Sequence, residues 1–218
     1  MERIHLDKEN LEAAAARAAS IIRAGGVVLY PTDTLYGLGA DALSDEAVAK
    51  IYAIKGRDKM KPIHALVDSI EMAEAYVEAN ERLRSLVVEL PKGKVTFICK
   101  RKTGVDTGIC RGIDTFAFRI PDNEFCLTLV RTFGKPVTAT SANTAGEQAP
   151  RSVDAILAQL GSATVLIDIT IDAGDSPAGI AAPLPSTVLD LSTEVPVLLR
   201  EGAISSETIQ RVIRKHAT

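Results

Sequence analysis

No stretch of this 218-residue chain approaches the roughly 20 consecutive apolar residues that a membrane-spanning helix needs. The first residues, Met1-Glu2-Arg3-Ile4-His5-Leu6-Asp7, lack the apolar centre of a secretory signal peptide. Cysteine is scarce: Cys99, Cys110 and Cys126 are odd in number and widely spaced, which suits neither a disulfide framework nor a zinc site. The histidines His5, His64 and His216 lie too far apart in sequence to suggest a histidine-rich metal centre. The formal net charge of −3 gives no bulk attraction to nucleic acid, so any such contact must come from a local patch. These absences predict a reduced, cytoplasmic, soluble protein with no membrane partner.

Several catalytic signatures are missing too. There is no run of Gly, four residues and Gly-Lys-Ser/Thr, no three-glycine fingerprint opening a helix, and no serine in a nucleophile elbow. No cysteine–histidine pair is suggested locally. An enzyme built this way works by positioning and electrostatics rather than through a nucleophile of its own.

What is present is a 46% hydrophobic content, enough for a sizeable core, in a length that fits one α/β domain over residues 1–218. Helices are expected at 10–24 (Asn10 capping, Gly25-Gly26 ending it), after Ser44 to Gly56, at 69–78, 80–90, 123–133, 152–160 and 206–215. Strands are expected at 27–31, 63–67, 94–100, 115–120, 136–140, 163–169, 186–191 and 196–200, with a long loop at 172–185. Strands and helices interleave without a regular βαβ alternation, which predicts a mixed sheet.

The organising stretch is Pro31-Thr32-Asp33-Thr34-Leu35-Tyr36-Gly37-Leu38-Gly39. It follows the apolar run Val27-Val28-Leu29-Tyr30, and Pro31 should stop that strand because it cannot donate to a ladder. Hydroxyls, a carboxylate and two glycines then fit either a ligand loop or a solvated turn. Lys55-Gly56-Arg57-Asp58-Lys59-Met60-Lys61 concentrates four cations, which suit phosphate or merely the negative end of a helix dipole. Thr115 and Arg119 share one strand face opposite Phe116 and Phe118, as a ligand clamp or a solvated edge. Ser141 and Asn143 follow a strand, as ligand contacts or a turn. Ser186-Thr187 and Arg200-Glu201-Gly202 form the last such pair.

Together these segments resemble the YrdC/TsaC threonylcarbamoyl-AMP synthase family in its short form. The matching pieces are Pro31 to Gly39, Lys55-Gly56-Arg57 with Lys61-Pro62, Thr115 to Arg119, Ser141-Ala142-Asn143, Ser186-Thr187-Val188 and Arg200-Glu201-Gly202, in order, within about residues 10–205. The Lys-x-Arg and later Ser-x-Asn pair is the family's usual signature. The resemblance implies a twisted open α/β mixed sheet around a concave, positively lined cavity. It implies that L-threonine, bicarbonate and ATP give threonylcarbamoyl-AMP and pyrophosphate, for transfer to adenosine 37 of tRNA by downstream proteins. On that resemblance, Thr34, Arg119, Ser141 and Ser186 are threonine contacts. Lys55, Arg57, Lys61, Thr115, Asn143 and Arg200 are ATP contacts, with Lys55, Arg57, Ser141 and Asn143 forming the catalytic set. Mg2+ on the phosphates is expected, with no protein metal site.

Three positions depart from the family's common pattern. Leu66 stands where many members have a histidine near threonine, Arg151 where a small hydroxyl residue is frequent, and Leu184-Pro185 in the approach to Ser186. They bear on amino-acid specificity more than on the nucleotide site. Two alternatives remain at this level. One is a double-stranded RNA or tRNA binding module using Lys50, Lys55, Arg57, Lys59, Lys61, Lys92, Lys94, Lys100, Arg101 and Lys102 as a basic face. The other is a divergent paralogue that takes a different amine.

Overall fold

The computed structural model describes residues 1–56, 62–175 and 184–216. Within them the α-helices are α1 (Leu11–Arg23), α2 (Asp45–Lys55), α3 (Ile70–Glu74), α4 (Glu81–Glu89), α5 (Glu124–Phe133), α6 (Val153–Leu160) and α7 (Ser206–Lys215). The strands are β1 (Glu2–His5), β2 (Val28–Tyr30), β3 (Gly37–Gly39), β4 (His64–Leu66), β5 (Val95–Lys100), β6 (Thr115–Arg119), β7 (Val137–Ser141), β8 (Ile169–Asp172), β9 (Thr187–Asp190) and β10 (Val197–Arg200). No described helix is long and apolar enough to cross a membrane.

The helix starts follow local chemistry. Ahead of every described α-helix but α1, a side-chain oxygen takes an N–H that has no partner inside the helix. Ser44 accepts from Ala47 N at 3.3 Å, Asn80 from Leu83 N at 2.9 Å, Asn123 from Cys126 N at 3.0 Å and Ser152 from Ala155 N at 3.3 Å. Gly56 and Gly134 close α2 and α5 in the left-handed region, with φ of 56° and 80°. Asn10 departs from expectation. Its oxygen accepts from Asp7 N and its amide donates to His5 O, so the side chain serves the preceding turn instead of α1.

The strands form one sheet in the order β1-β8-β2-β3-β7-β4-β6-β5-β9-β10. Pairs β1/β8, β2/β8, β4/β6 and β5/β9 are parallel, and β2/β3, β3/β7, β4/β7, β5/β6 and β9/β10 antiparallel, which is the expected mixed sheet. Alternation along a strand sends side chains to two cores. Val28 and Tyr30 join Ala14, Ala18, Ile22, Phe125 and Leu129 under α1 and α5. Leu29 joins Ile51, Leu86, Phe116, Phe118, Ile156 and Ile209 on the other side.

Three features depart from or add to the sequence reading. The strand predicted at 163–169 is a 3-10 turn over Gly161–Leu166, and β8 begins only at Ile169. The Thr164 hydroxyl binds Gly161 O at 2.7 Å, and the Asp168 carboxylate takes Val27 N at 2.8 Å, so the β-branched run enters the sheet late. The charged segment Glu2–His5 is a strand because β8 offers it a parallel edge. Gly37–Gly39, read as loop, is a strand between β2 and β7. Its glycines make room for the buried ring of Tyr30. A Cβ at Gly39 would lie 2.7 Å from Tyr30 Cε1, and one at Gly37 would lie 3.2 Å from Tyr30 Cζ.

Candidate active site

A cavity of about 320 Å³ opens where the loop after β2, the start of β4 and the ends of β6, β7 and β10 converge. Its walls include Thr32, Thr34, Tyr36, His64, Arg119, Thr140, Ser141, Pro185, Ser186 and Arg200. Thr34, Arg119, Ser141, Ser186 and Arg200 therefore meet around one hollow, although they are spread over 167 positions (from 34 to 200, inclusive) of the chain.

Arg119 ends β6 and is only 5% exposed. Its Nη1 donates to Asp33 Oδ1 at 2.9 Å, Asp33 Oδ2 at 3.0 Å and Gly93 O at 2.9 Å. Among the described residues its buried Nε has no hydrogen-bond partner. The guanidinium is thus gripped at one end, while its Nε side stays ready for an acceptor. Gly93 has a positive φ of 73°, and a Cβ there would lie 2.4 Å from Asp33 Oδ2, so the grip depends on glycine.

The Thr32–Leu35 segment is a largely buried turn that also lines the cavity. The Thr32 hydroxyl donates to Leu35 O at 2.6 Å and accepts from Thr34 N at 3.1 Å, which is a turn, and the same turn sets Thr34 in the cavity wall. Tyr36 closes the wall beside it. Its hydroxyl donates to Gly174 O at 2.7 Å and accepts from Ala173 N at 2.9 Å, and burial pushes its pKa up to about 12.

Across the hollow, the Ser186 hydroxyl meets the Thr96 hydroxyl at 2.8 Å inside the protein. Arg200 holds Ser186 O through Nη2 at 2.8 Å and Nε at 3.2 Å, and partial burial lowers its pKa from the ordinary arginine value. Ser141 ends β7 and donates its hydroxyl to Asn143 Oδ1. The Asn143 amide donates to Thr144 O at 2.9 Å and Glu147 O at 2.8 Å. Lys55 is 2% exposed and bonds this turn from beneath.

The remaining site expectations fall elsewhere. Lys55 and Asn143 adjoin the cavity through Ser141 but are outside its lining, and Thr115, four residues before Arg119 on the same face, is outside it as well. Arg57 and Lys61 lie outside the described residues. Leu66 is fully buried in the core, while His64, two residues earlier on β4, lines the cavity. Arg151 is exposed and outside the lining. Pro185 lines the cavity, and its neighbour Leu184 is 62% exposed. Sequence reasoning missed Asp33, Thr32, Tyr36 and Thr96. Thr32, Asp33 and Tyr36 fall in the stretch read as a possible ligand loop, whereas Thr96 gave no such signal.

The basic face expected for RNA loses several members. Lys55 is buried, Lys50 donates to Gly25 O at 2.7 Å, Lys100 faces Glu78 at 3.5 Å, and Arg101 lies 3.6 Å from both Asp106 and Asp114. Arg57, Lys59 and Lys61 of that set lie outside the described residues. Burial also pushes the thiols up, Cys110 to about 11 and Cys99 to about 12, with Cys126 raised further, which leaves them poor nucleophiles. Among the described residues no cluster of three or more His, Cys, Asp or Glu could hold a metal, and the carboxylate beside the cavity, Asp33, is engaged by Arg119.

The chain is similar to known proteins over most of its length. The Sua5/YciO/YrdC family model, described as "Telomere recombination", matches residues 20–202. A Bacillus subtilis protein named threonylcarbamoyl-AMP synthase is 36% identical over 200 residues, covering 91% of this chain and 56% of the relative. A Pyrococcus abyssi protein of the same name is 36% identical over 197 residues, again with 56% of its length covered. This chain thus spans little more than half the length of these relatives. The crystal structure of P. abyssi Sua5 complexed with L-threonine superposes with a TM-score of 0.84 at 34% identity, covering 97% of this chain and 60% of that one. E. coli YciO superposes with a TM-score of 0.78 at 25% identity, covering 94% and 96% of the two chains. The chain belongs to the Sua5/YciO/YrdC family.

Proposed function

We propose that this chain is a nucleotidyltransferase that makes threonylcarbamoyl-AMP and pyrophosphate from L-threonine, bicarbonate and ATP. The product would feed proteins that transfer the threonylcarbamoyl group to tRNA, which fits a cytoplasmic enzyme. The observation that carries the reading is Arg119. Its buried Nε edge, in a cavity lined by hydroxyls, suits the carboxylate of an amino acid, which accepts side-on guanidinium hydrogen bonds well. The Sua5 relative crystallised with L-threonine supports the choice of amino acid.

The chemistry follows from the substrates. Threonine's amine and bicarbonate lose water to give a carbamate. A carbamate oxygen attacks the α-phosphorus of ATP, the bond to the β-phosphate oxygen breaks, and pyrophosphate leaves with its electron pair. The nucleophile comes from the substrate, so inert thiols are no obstacle. Arg119 with Thr34, Ser141 and Ser186 holds threonine. Arg200 supplies positive charge to the nucleotide, and Thr115, Arg57 and Lys61 join it on the strength of the family resemblance. Mg2+ enters as MgATP, part of the substrate.

The test is pyrophosphate release from MgATP and bicarbonate with and without L-threonine. Threonine-dependent release is expected. Equal release without threonine, or release only with a different amine, overturns the reading.

A further inference from the structure

The ammonium of Lys55 is buried at the C-terminal end of α2, where a lysine would ordinarily reach into solvent. It donates to Ser141 O, to Asn143 O at 2.9 Å and to Asn143 Oδ1 at 3.1 Å. An ammonium carries three N–H groups, and here they meet three oxygens of a single turn. The main chain repeats the connection, because Ala145 N donates to Lys55 O at 2.9 Å and so satisfies one of the last carbonyls of α2. From the other side, Ala142 N donates to Tyr36 O at 2.8 Å. The Ser141–Ala145 turn is therefore tied to the end of α2 and to the loop after β2.

We infer that Lys55 is a positioning residue: it fixes the Ser141–Asn143 turn so that the Ser141 hydroxyl faces the cavity, and it does not bind the triphosphate. Asn143 belongs to the same device, since its Oδ1 receives both Lys55 and the Ser141 hydroxyl. Lys55 of the Lys-x-Arg piece is thus bonded directly to the Ser-x-Asn piece. A turn released by about 1 Å would misplace Ser141 enough to cost on the order of 10²-fold in turnover.

This inference rests on the proposed reaction only for its kinetic readout, so two readouts are independent of activity. The first is lysine acetylation of the native wild-type protein, mapped by mass spectrometry with and without MgATP. Lys55 should stay unmodified in both conditions and react once the protein is unfolded. Labelling of Lys55 in the free protein that MgATP suppresses would make it a nucleotide contact and overturn the inference. The second is amide exchange in Lys55→Met. Faster exchange at Ala142 and Ala145 than in wild type is expected, and unchanged exchange in a folded variant counts against a positioning role. Where wild-type turnover is present, a double-mutant cycle completes the test. Lys55→Met should lower kcat/KM about 10²-fold in the wild-type background but less than about 3-fold on top of Ser141→Ala. Equal losses in both backgrounds overturn the coupling. Absence of wild-type turnover sinks the proposed reaction and leaves the labelling and exchange results to judge Lys55. If Lys55→Met fails to fold, the acetylation experiment alone decides.

Discussion

Arg119 and Arg200 face the same hollow but are built in opposite ways. Arg119 is buried, and its Nη1 end is held by a carboxylate that is itself almost fully buried. Arg200 is exposed and is held along its Nε–Nη2 side by a neutral carbonyl, Ser186 O. The first is fixed in direction, and part of its charge is already answered. Among the described residues no carboxylate pairs with the second, which faces water. A rigid, directional fork suits one small carboxylate, and a less constrained cation suits a polyanion whose charge is spread over several oxygens.

The contrast can be broken at the buried end first. Arg119→Ala should destabilise the protein by about 3–5 kcal/mol, because it strands Asp33 as a buried unpaired charge. Urea denaturation of the folded variant checks this, and a loss below about 1 kcal/mol would mean that Asp33 finds water or another partner. Arg119→Lys keeps the charge and loses the fork. It should raise the KM for L-threonine on the order of 10²-fold with a smaller effect on the KM for ATP, read from steady-state pyrophosphate release. Arg200→Ala should do the reverse. Stability should change by no more than about 0.5 kcal/mol, as expected for an exposed residue, while the KM for ATP rises about 10-fold. Salt sharpens the difference further. Between low and physiological ionic strength the KM for ATP should rise a few-fold while that for threonine stays nearly flat, since screening reaches exposed charges more than buried ones.

Much of this was legible before any coordinates. The helix boundaries at Ser44, Asn80, Asn123 and Ser152 were readable because a cap is a local event between a side chain and an N–H three residues on. The face carrying Thr115 and Arg119 followed from strand alternation with Phe116 and Phe118. What escaped was decided by distant neighbours. Glu2–His5 carries no apolar pattern and becomes a strand only because β8 pairs with it. Gly37 and Gly39 read as loop or ligand approach, and their role depends on the ring of Tyr30, which no spacing rule brings near. The charge run from Lys55 suited phosphate or a helix dipole, and only the resemblance named Lys55 an ATP contact; spacing reports charge and says nothing of burial. His64 was counted only as one of three scattered histidines, and the sheet is what brings it to the cavity.

Gly202 follows Arg200 by two residues and passes directly beneath the chain at Pro185 and Ser186. A methyl group on it would sit 2.2 Å from Pro185 O and 2.8 Å from Ser186 C. The spacing between the serine and the arginine on that wall is consequently set by a single hydrogen atom. Exchange for alanine would act as a wedge, prying the guanidinium off its carbonyl perch and widening the mouth without altering one group that meets a ligand.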